Sequence, residues 1–445
     1  MRKAWLAPSQ IGGRLEGRWG LRRGPPLVGA FLLAGDETML CLREATGVDC
    51  RVASRLAMTG AGVGLPGLGG MPVLLVLPSF DAGGAENYIL RFVRHVGAGE
   101  FEWHAMAANG GRGDLEDTFR AAGITLHHQP IGYLNPWKAW RFFRLVRQHG
   151  FDAVCSLTGV FGGWPLLLSR LAGVDVRVAW HRRSSHAFRQ TWWRRVYAWL
   201  GARLLEWNAT RILSNSHAAL EFFHGPNTGM SSRFRVIPNG VGGCSFAVVA
   251  CSREAARRDL GIPADGWVVG HVGRFDWAKN HETIFRVAAE VSKAQPGVVF
   301  LFCGKGTDSE AFRQRLAHHG IARCCIGLGV RHDMPRVYPA MDLFYFPSLT
   351  EGQPNALIEA MLSGVPVLAS DIPGIRETVP PALQRSLVPA RDVDAAVAWI
   401  GTFINGECQD VEATREWAAR RFDPATNFGM FLEALRVSSS RAAHA

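Results

Sequence analysis

Along most of this chain short apolar runs alternate with amphipathic stretches, and the alternation begins abruptly near residue 71. Residues 72–78 (PVLLVLP) form a continuous apolar run bounded by turn residues, which predicts a strand buried on both faces. An amphipathic helix is expected over 86–96. Further strands are expected at 101–107, 124–128, 152–157 and 174–180, with helices at 114–122, 136–149, 163–172 and 190–207. The segments RILSNS (211–216) and RVIPNG (235–240) close this first set, and the period fades over 241–266 until residues 252–260, which places an interdomain linker there. A second set follows, with strands at 267–272, 298–303, 322–328, 342–347 and 365–370, helices at 308–319 and 355–363, and closing helices at 414–421 and 424–436. Such alternation means α/β architecture with doubly wound parallel sheets. Residues 1–70 show no sustained period and end in a Gly-rich run, GAGVGLPGLGG, so they are expected to be a disordered extension, with the functional polypeptide starting at Met71.

The stretch on which the chain's chemistry centres is residues 347–377, PSLTEGQPNALIEAMLSGVPVLASDIPGIRE. Pro354 suits a helix start and Gly364 a helix end. On the helical wheel Leu357, Ile358, Met361 and Leu362 cover one side and Ala356 and Ala360 another, leaving Asn355, Glu359 and Ser363 in a narrow polar stripe. Glu359 is the only charge on that helix. Burying it without partners would be costly, and a ribose diol offers two hydroxyl donors. Glu351 lies eight residues earlier, in the loop. Between the two carboxylates, the backbone N–H groups of Gly352, Gln353 and Asn355 stand at the positive end of the helix, where phosphate or a sugar hydroxyl would be held. A carboxylate pair at this spacing is common by chance, and either member would serve equally as a cap or a solvated charge.

Other candidates fall at strand ends, where open α/β sheets bind ligands. Gly83 and Gly84 join the first strand to its helix, a place where backbone can approach a ligand closely; a plain tight turn is the alternative. His181 follows the strand ending at Trp180, with Arg182, Arg183 and His186 in the same loop. Gly273 and Arg274 follow the strand at 267–272, and Lys279 comes five residues after Arg274. Two cations in one strand-to-helix turn can clamp a diphosphate whose charge grows as it leaves, although surface basics are common. Gly304 opens a Gly-Lys-Gly turn after the strand at 298–303. The acidic triplet Asp392-Val393-Asp394 precedes an Ala-rich helix, where carboxylates cap an N-terminus, so no metal site is assigned to it.

Composition narrows the partners. At 445 residues the chain exceeds one ordinary core. Its net charge of +11 favours anionic partners, among them nucleotide phosphates, a lipid-linked phosphate acceptor and an anionic membrane face. Nucleic acid is disfavoured, because the basic residues are dispersed outside any recognisable module. No run of about 18 apolar residues exists to span a bilayer. Nine cysteines, without CxxC pairs, suggest a reducing compartment without disulfides or structural zinc, and Cys324 and Cys325 read as core filler. The helix at 136–149 carries Trp137, Trp140 and Phe143 with Arg141, Arg144 and Arg147; a solvated face beside a core face is its ordinary meaning, a membrane edge its rarer one.

Together these segments resemble the retaining glycosyltransferases of family 4, with the GT-B fold. The stretch 347–377 matches nearly every fixed position of the family's Glu-x7-Glu pattern, "PS-x-x-EG-x-P-x-x-x-x-EA-x-x-x-G-x-PV". Residues 83–86 match its "GGAE" loop, Gly273 to Lys279 its "GR-x-x-x-x-K" turn with Asn280 following, and Gly304 its "G-x-G". The resemblance covers roughly residues 71–435. It implies two Rossmann-like domains facing across a cleft: an acceptor-side domain over 71–240, the linker over 241–266, a nucleotide-sugar-binding domain over 267–420, and a segment over 421–445 packing back across them. It also implies a catalytic set of His181, Arg274, Lys279 and Glu351, with donor contacts from Gly83, Gly84, Gly273, Gly304, Gly352, Gln353, Pro354, Asn355 and Glu359. Glu351 would contact donor-sugar hydroxyls and Glu359 the ribose. The expected activity is transfer with retention from a nucleotide sugar, a UDP-sugar above others, to a glycan or lipid-linked acceptor in cell-envelope polysaccharide synthesis. No cofactor or metal is expected, and the expected location is cytoplasmic, peripheral on the inner membrane face. The rival readings are a sugar-nucleotide epimerase of the same fold and a non-catalytic nucleotide-sugar-binding protein.

Overall fold

The computed structural model describes residues 70–97, 99–131, 135–182, 192–242 and 252–436. The expected extension before Gly70, the loop residues Arg183 and His186, and residues 243–251 of the expected linker lie outside the described residues.

Two parallel sheets carry the fold, as the alternation predicts. The first contains β1 (Met71–Leu77), β2 (Phe101–Ala107), β3 (Thr125–His127), β4 (Ala153–Ser156), β5 (Val176–His181), β6 (Arg211–Ser214) and β7 (Phe234–Val236), in the order β3-β2-β1-β4-β5-β6-β7. Its helices are α1 (Gly84–Val96), α2 (Glu116–Ala121), α3 (Pro136–His149), α4 (Gly163–Leu171), α5 (Trp192–Asn208) and α6 (His217–His224). The second contains β8 (Trp267–Val272), β9 (Val298–Cys303), β10 (Cys325–Gly327), β11 (Leu343–Phe346) and β12 (Val367–Ala369), in the order β10-β9-β8-β11-β12. Its helices are α7 (Arg253–Asp259), α8 (His281–Ala294), α9 (Glu310–His318), α10 (Met334–Val337), α11 (Asn355–Leu362), α12 (Pro373–Arg376), α13 (Val393–Ile404), α14 (Val411–Arg421) and α15 (Pro424–Leu435). The strand order reverses between β1 and β4 in one sheet and between β8 and β11 in the other. In doubly wound sheets these two places open crevices at the strands' carboxyl ends.

Strands with apolar side chains on both faces need a helical layer on each, and both layers are present. One layer on the first sheet buries Tyr88, Phe92 and Trp103; the other buries Phe142, Val146, Leu166 and Leu205. The last helix, α15, completes the first core rather than the second: Phe431 lies 4.0 Å from the Trp180 ring and Phe428 lies 5.4 Å from Tyr88. Asp392 caps α13 by accepting the Ala395 N–H, the role its position suggests.

Helix α6 was not expected. Its eight residues, HAALEFFH, are too few to declare a period, and what fixes it is tertiary. Ser216 caps it from within, and Glu377 of the other domain accepts the N–H groups of His217 and Ala218 at 2.7 Å each. That carboxylate faces the positive helix end across the domain boundary.

A histidine cluster sits on the first sheet. His104 Nδ1 and His127 Nε2 are 3.0 Å apart, His104 Nε2 meets Glu102 at 2.9 Å, and the His149 ring lies 5.1 Å from His127. Burial, with His104 and His149 alongside, lowers the pKa of His127 to about 4, and burial lowers that of His104. His281 in the second domain is lowered to about 4 by burial. An unfolded histidine titrates near pH 6.5, so between about 6.5 and 4 the unfolded chain binds more protons than the folded one. Stability present above that window is therefore lost as pH falls through it. The melting temperature should drop steadily from about pH 7 to about pH 5, and less steeply for His127→Gln; superimposable melting curves across that range would contradict the assignment.

Candidate functional site

The site grows from the reversal point of the second sheet. β11 ends at Phe346, and the loop after it runs through Glu351 to Pro354, whose φ of −78° and extended ψ start α11. α11 is apolar on the sides that meet the core, and Gly364, at φ +71°, ends its turn as expected. The loop is drawn tight against its surroundings. A Cβ on Gly352 would stand 2.8 Å from both the Arg182 carbonyl oxygen and Asn215 Oδ1 of the first domain. One on Gly374 would meet the Glu351 carbonyl at 2.2 Å.

From the neighbouring strand β8, the turn Gly273-Arg274 leads to Lys279. Gly304 follows β9 at φ +143°, and a Cβ there would stand 2.2 Å from the Gly273 carbonyl, so the two turns lie backbone on backbone. Asn280 holds φ +55° and donates from Nδ2 to the carbonyls of Pro347 at 3.0 Å and Ala390 at 2.6 Å, tying this turn to the β11 loop. Lys279 Nζ consequently reaches Glu351 Oε1 at 2.5 Å and lies 4.6 Å from the centre of the Phe346 ring. Arg274 is exposed and donates to the Ala82 carbonyl of the first domain at 3.1 Å, just before Gly83 and Gly84 at the start of α1. Thus Arg274, Lys279, Glu351, Gly273, Gly304 and the Gly83 turn meet in one region.

Glu359 is 6% exposed, and it does need partners. Arg91 of α1 supplies one across the domain boundary, Nη2 to Oε1 at 2.6 Å, and the Tyr338 hydroxyl supplies the other at 3.1 Å to Oε2. Burial, the Glu359 charge and that hydrogen bond keep the Tyr338 phenol protonated far above its ordinary range. The need for partners is legible in the sequence; the identity of these two donors is not. Arg91 sits on an amphipathic helix among ordinary surface basics, and Tyr338 is distant in sequence, so neither carried a signal.

Gln353 and Asn355 face the crossing between domains. Asn239 donates its backbone N–H to Gln353 Oε1 at 2.6 Å, and its side-chain amide to the Gln353 carbonyl at 3.0 Å and to Asn355 Oδ1 at 2.7 Å. Arg182 donates to Asn239 Oδ1 at 2.9 Å while its guanidinium lies 3.9 Å from the Tyr88 ring centre. Burial lowers the Arg182 pKa to about 10.

His181 is 1% exposed at the end of β5. Its ring stacks on Phe223, and its Nε2 lies 2.9 Å from His224 Nε2, while His224 Nδ1 meets Glu206 at 2.7 Å. Burial and then the adjacent His224 lower its pKa to about 3, so the imidazole is neutral near pH 7. Its Nδ1 is buried without a hydrogen-bond partner among the described residues. Among those residues no cluster of His, Cys, Asp or Glu has the arrangement of a metal site, and no helix is long and apolar enough to cross a membrane.

Two facing parallel-sheet domains with glycine turns, cations and carboxylates at their reversal points define a GT-B glycosyltransferase. The chain belongs to that class: residues 83–240 match the glycosyl transferase 4-like domain and residues 252–421 the glycosyl transferases group 1 family. It is 28% identical over 302 residues to the putative glycosyltransferase EpsF of Bacillus subtilis, covering 67% of this chain and 79% of that one. It is 27% identical to the Escherichia coli UDP-Gal:alpha-D-GlcNAc-diphosphoundecaprenol alpha-1,3-galactosyltransferase, covering 64% and 74% of the two chains. Its fold matches that of Anabaena HepE, crystallised with UDP-glucose, with a TM-score of 0.68 and 22% identity over 82% of this chain and 99% of that one.

The tight approach at Gly352 gives a test of the domain contact. Gly352→Ala should cost about 1–3 kcal/mol in urea unfolding, because backbone on one side leaves the added methyl no room. An unchanged midpoint would show that the loop can shift freely.

Proposed function

We propose that the chain transfers a sugar with retention from a UDP-sugar to a hydroxyl of a glycan or lipid-linked acceptor in polysaccharide synthesis, at the cytoplasmic membrane face. The observation that carries the reading is the 2.5 Å Lys279–Glu351 pair, with Arg274 beside it, at the reversal point of the second sheet. Arg274 and Lys279 would neutralise the departing diphosphate, and Glu351 would then accept donor-sugar hydroxyls. In the reaction the bond from the anomeric carbon to the diphosphate oxygen breaks and the acceptor oxygen bonds to that carbon on the same face. The acceptor's proton passes to the leaving phosphate. His181 offers a neutral ring whose unanswered Nδ1 would suit a sugar hydroxyl. The E. coli relative's diphosphate-linked acceptor and the UDP-glucose bound to HepE support the choice of substrates. The two arginine and lysine charges make a metal ion unnecessary, so turnover should persist in excess EDTA.

Glu359 would bind the ribose in place of Arg91. Calorimetry with UDP should show weakened binding for Glu359→Ala, while Glu351→Ala should retain binding and lose turnover; equal losses would remove that division. Arg91→Ala, which frees Glu359 of its competitor, should bind UDP several-fold more tightly, and weaker binding would mean that Arg91 helps to hold the nucleotide.

Arg274→Ala and Lys279→Ala should each lower kcat by about a hundredfold with donor saturating, since removing a contact to developing charge costs about 3 kcal/mol. Their melting should change little. Wild-type turnover in both would leave these residues without a part in the reaction. The anomeric configuration of the product, read by NMR, decides between retention and inversion, and conversion of the nucleotide sugar without any acceptor would point to an epimerase instead.

A further inference from the structure

On α3 the core-facing residues are Ala139, Phe142 and Val146, while the two tryptophans face outward. Trp137 is 65% exposed and Trp140 44% exposed, and their rings stack 4.9 Å apart. Next to them on the same helix face are the exposed Arg141 and Arg144, the latter 5.5 Å from the Trp140 ring centre. Trp140 divides two hollows. On one side a cavity of about 410 Å³ is lined by Arg141, Arg144, Gln129 and Gln148. On the other a cavity of about 540 Å³ lies between α3 and α4, lined by Phe143, Trp164, Leu168 and Leu171.

Exposed apolar side chains also stand on the two helices that follow. Leu171 of α4 is 62% exposed, and α5 presents Trp192, Trp199 and Trp207. Arg170 of α4 donates to the Trp207 carbonyl at 3.4 Å, joining α4 to α5. The charge on these three helices is predominantly positive. They hold eight lysines and arginines and one carboxylate, Glu206, which is itself engaged by His224 at 2.7 Å and Arg203 at 3.3 Å.

We propose that the outer face of α3, α4 and α5 docks on an anionic lipid bilayer, with Trp137 and Trp140 in the headgroup boundary, Arg141 and Arg144 on lipid phosphates, and a hydrocarbon chain in the hollow between α3 and α4. Tryptophan joins an apolar ring to a polar N–H and arginine carries its charge on an apolar stem, so this composition fits the boundary between water and hydrocarbon. A helix with aromatics and arginines on one face lies in that plane, and basic residues near an anionic surface add attraction that salt screens. A nucleic acid would leave the apolar hollow unfilled, and a protein partner would need a matching acidic surface. The inference rests on the reading of the chain as a transferase working at a membrane, but vesicle binding needs neither donor nor acceptor, so the two stand or fall separately.

The test is co-sedimentation of the full chain with vesicles of phosphatidylcholine alone and of phosphatidylcholine mixed with phosphatidylglycerol. Wild type should pellet with the mixed vesicles at low salt and be released at high salt, with a blue shift of tryptophan fluorescence on binding. Trp137→Ser/Trp140→Ser and Arg141→Gln/Arg144→Gln should each lower the vesicle partition coefficient by at least about tenfold. Both should melt with the wild type and keep its UDP affinity in calorimetry. Wild-type partitioning of both variants, or no pelleting of the wild type, would overturn the proposal. So would a dimer in sedimentation equilibrium that the tryptophan variant abolishes, since the face would then join two copies of this chain.

Discussion

A carboxylate on an otherwise apolar helix must be answered, and Glu359 is answered from both domains. Its place on α11 is fixed by the core beneath it, so the donors have to come to it. Tyr338 comes from the same domain and Arg91 from the other. Removing either donor would leave one oxygen of the buried carboxylate short of a partner, which costs more than the hydrogen bond itself contributes. The ion pair is thus a requirement on how α1 and α11 face each other. The phenol thereby fixes the orientation of the carboxylate.

The rest of the domain crossing follows the same logic of buried polar groups finding partners. Asn239 spends its backbone and side chain on Gln353 and Asn355, Glu377 answers the free N–H groups of α6, and α15 returns to bury Phe428 and Phe431 on the first sheet. Each contact joins residues more than a hundred positions apart. They hold the two reversal points close enough for Arg274 to reach the Gly83 turn and for Gly352 to touch the Arg182 backbone.

The outward tryptophans of α3 and α5 run against this economy. Apolar area left in water forgoes about 25 cal/mol per Å², and Trp137 and Trp192 are among the most exposed large side chains described. The fold does not need them, because Ala139, Phe142 and Val146 already close the core under α3. An apolar face that the core does not use is the mark of a surface used elsewhere.

Much of this protein was legible in order along the chain. Apolar runs of strand length and amphipathic stretches between them gave the strands and most helices nearly to the residue, α3 and β8 among them, because burial on two faces or one imposes its period locally. The resemblance carried by residues 347–377 and the Gly273 turn pointed to the family. The wheel of α11 showed that Glu359 needs partners. Which groups would partner it was decided only by the tertiary structure, as was the burial of His181 against His224 and Phe223. The sequence placed the tryptophans of α3 on an amphipathic helix, yet only packing settled that Phe142 would be inside and Trp137 outside. A period can be read from one segment because it reflects that segment's own burial, whereas a hydrogen-bond partner or an unused face depends on what distant segments bring.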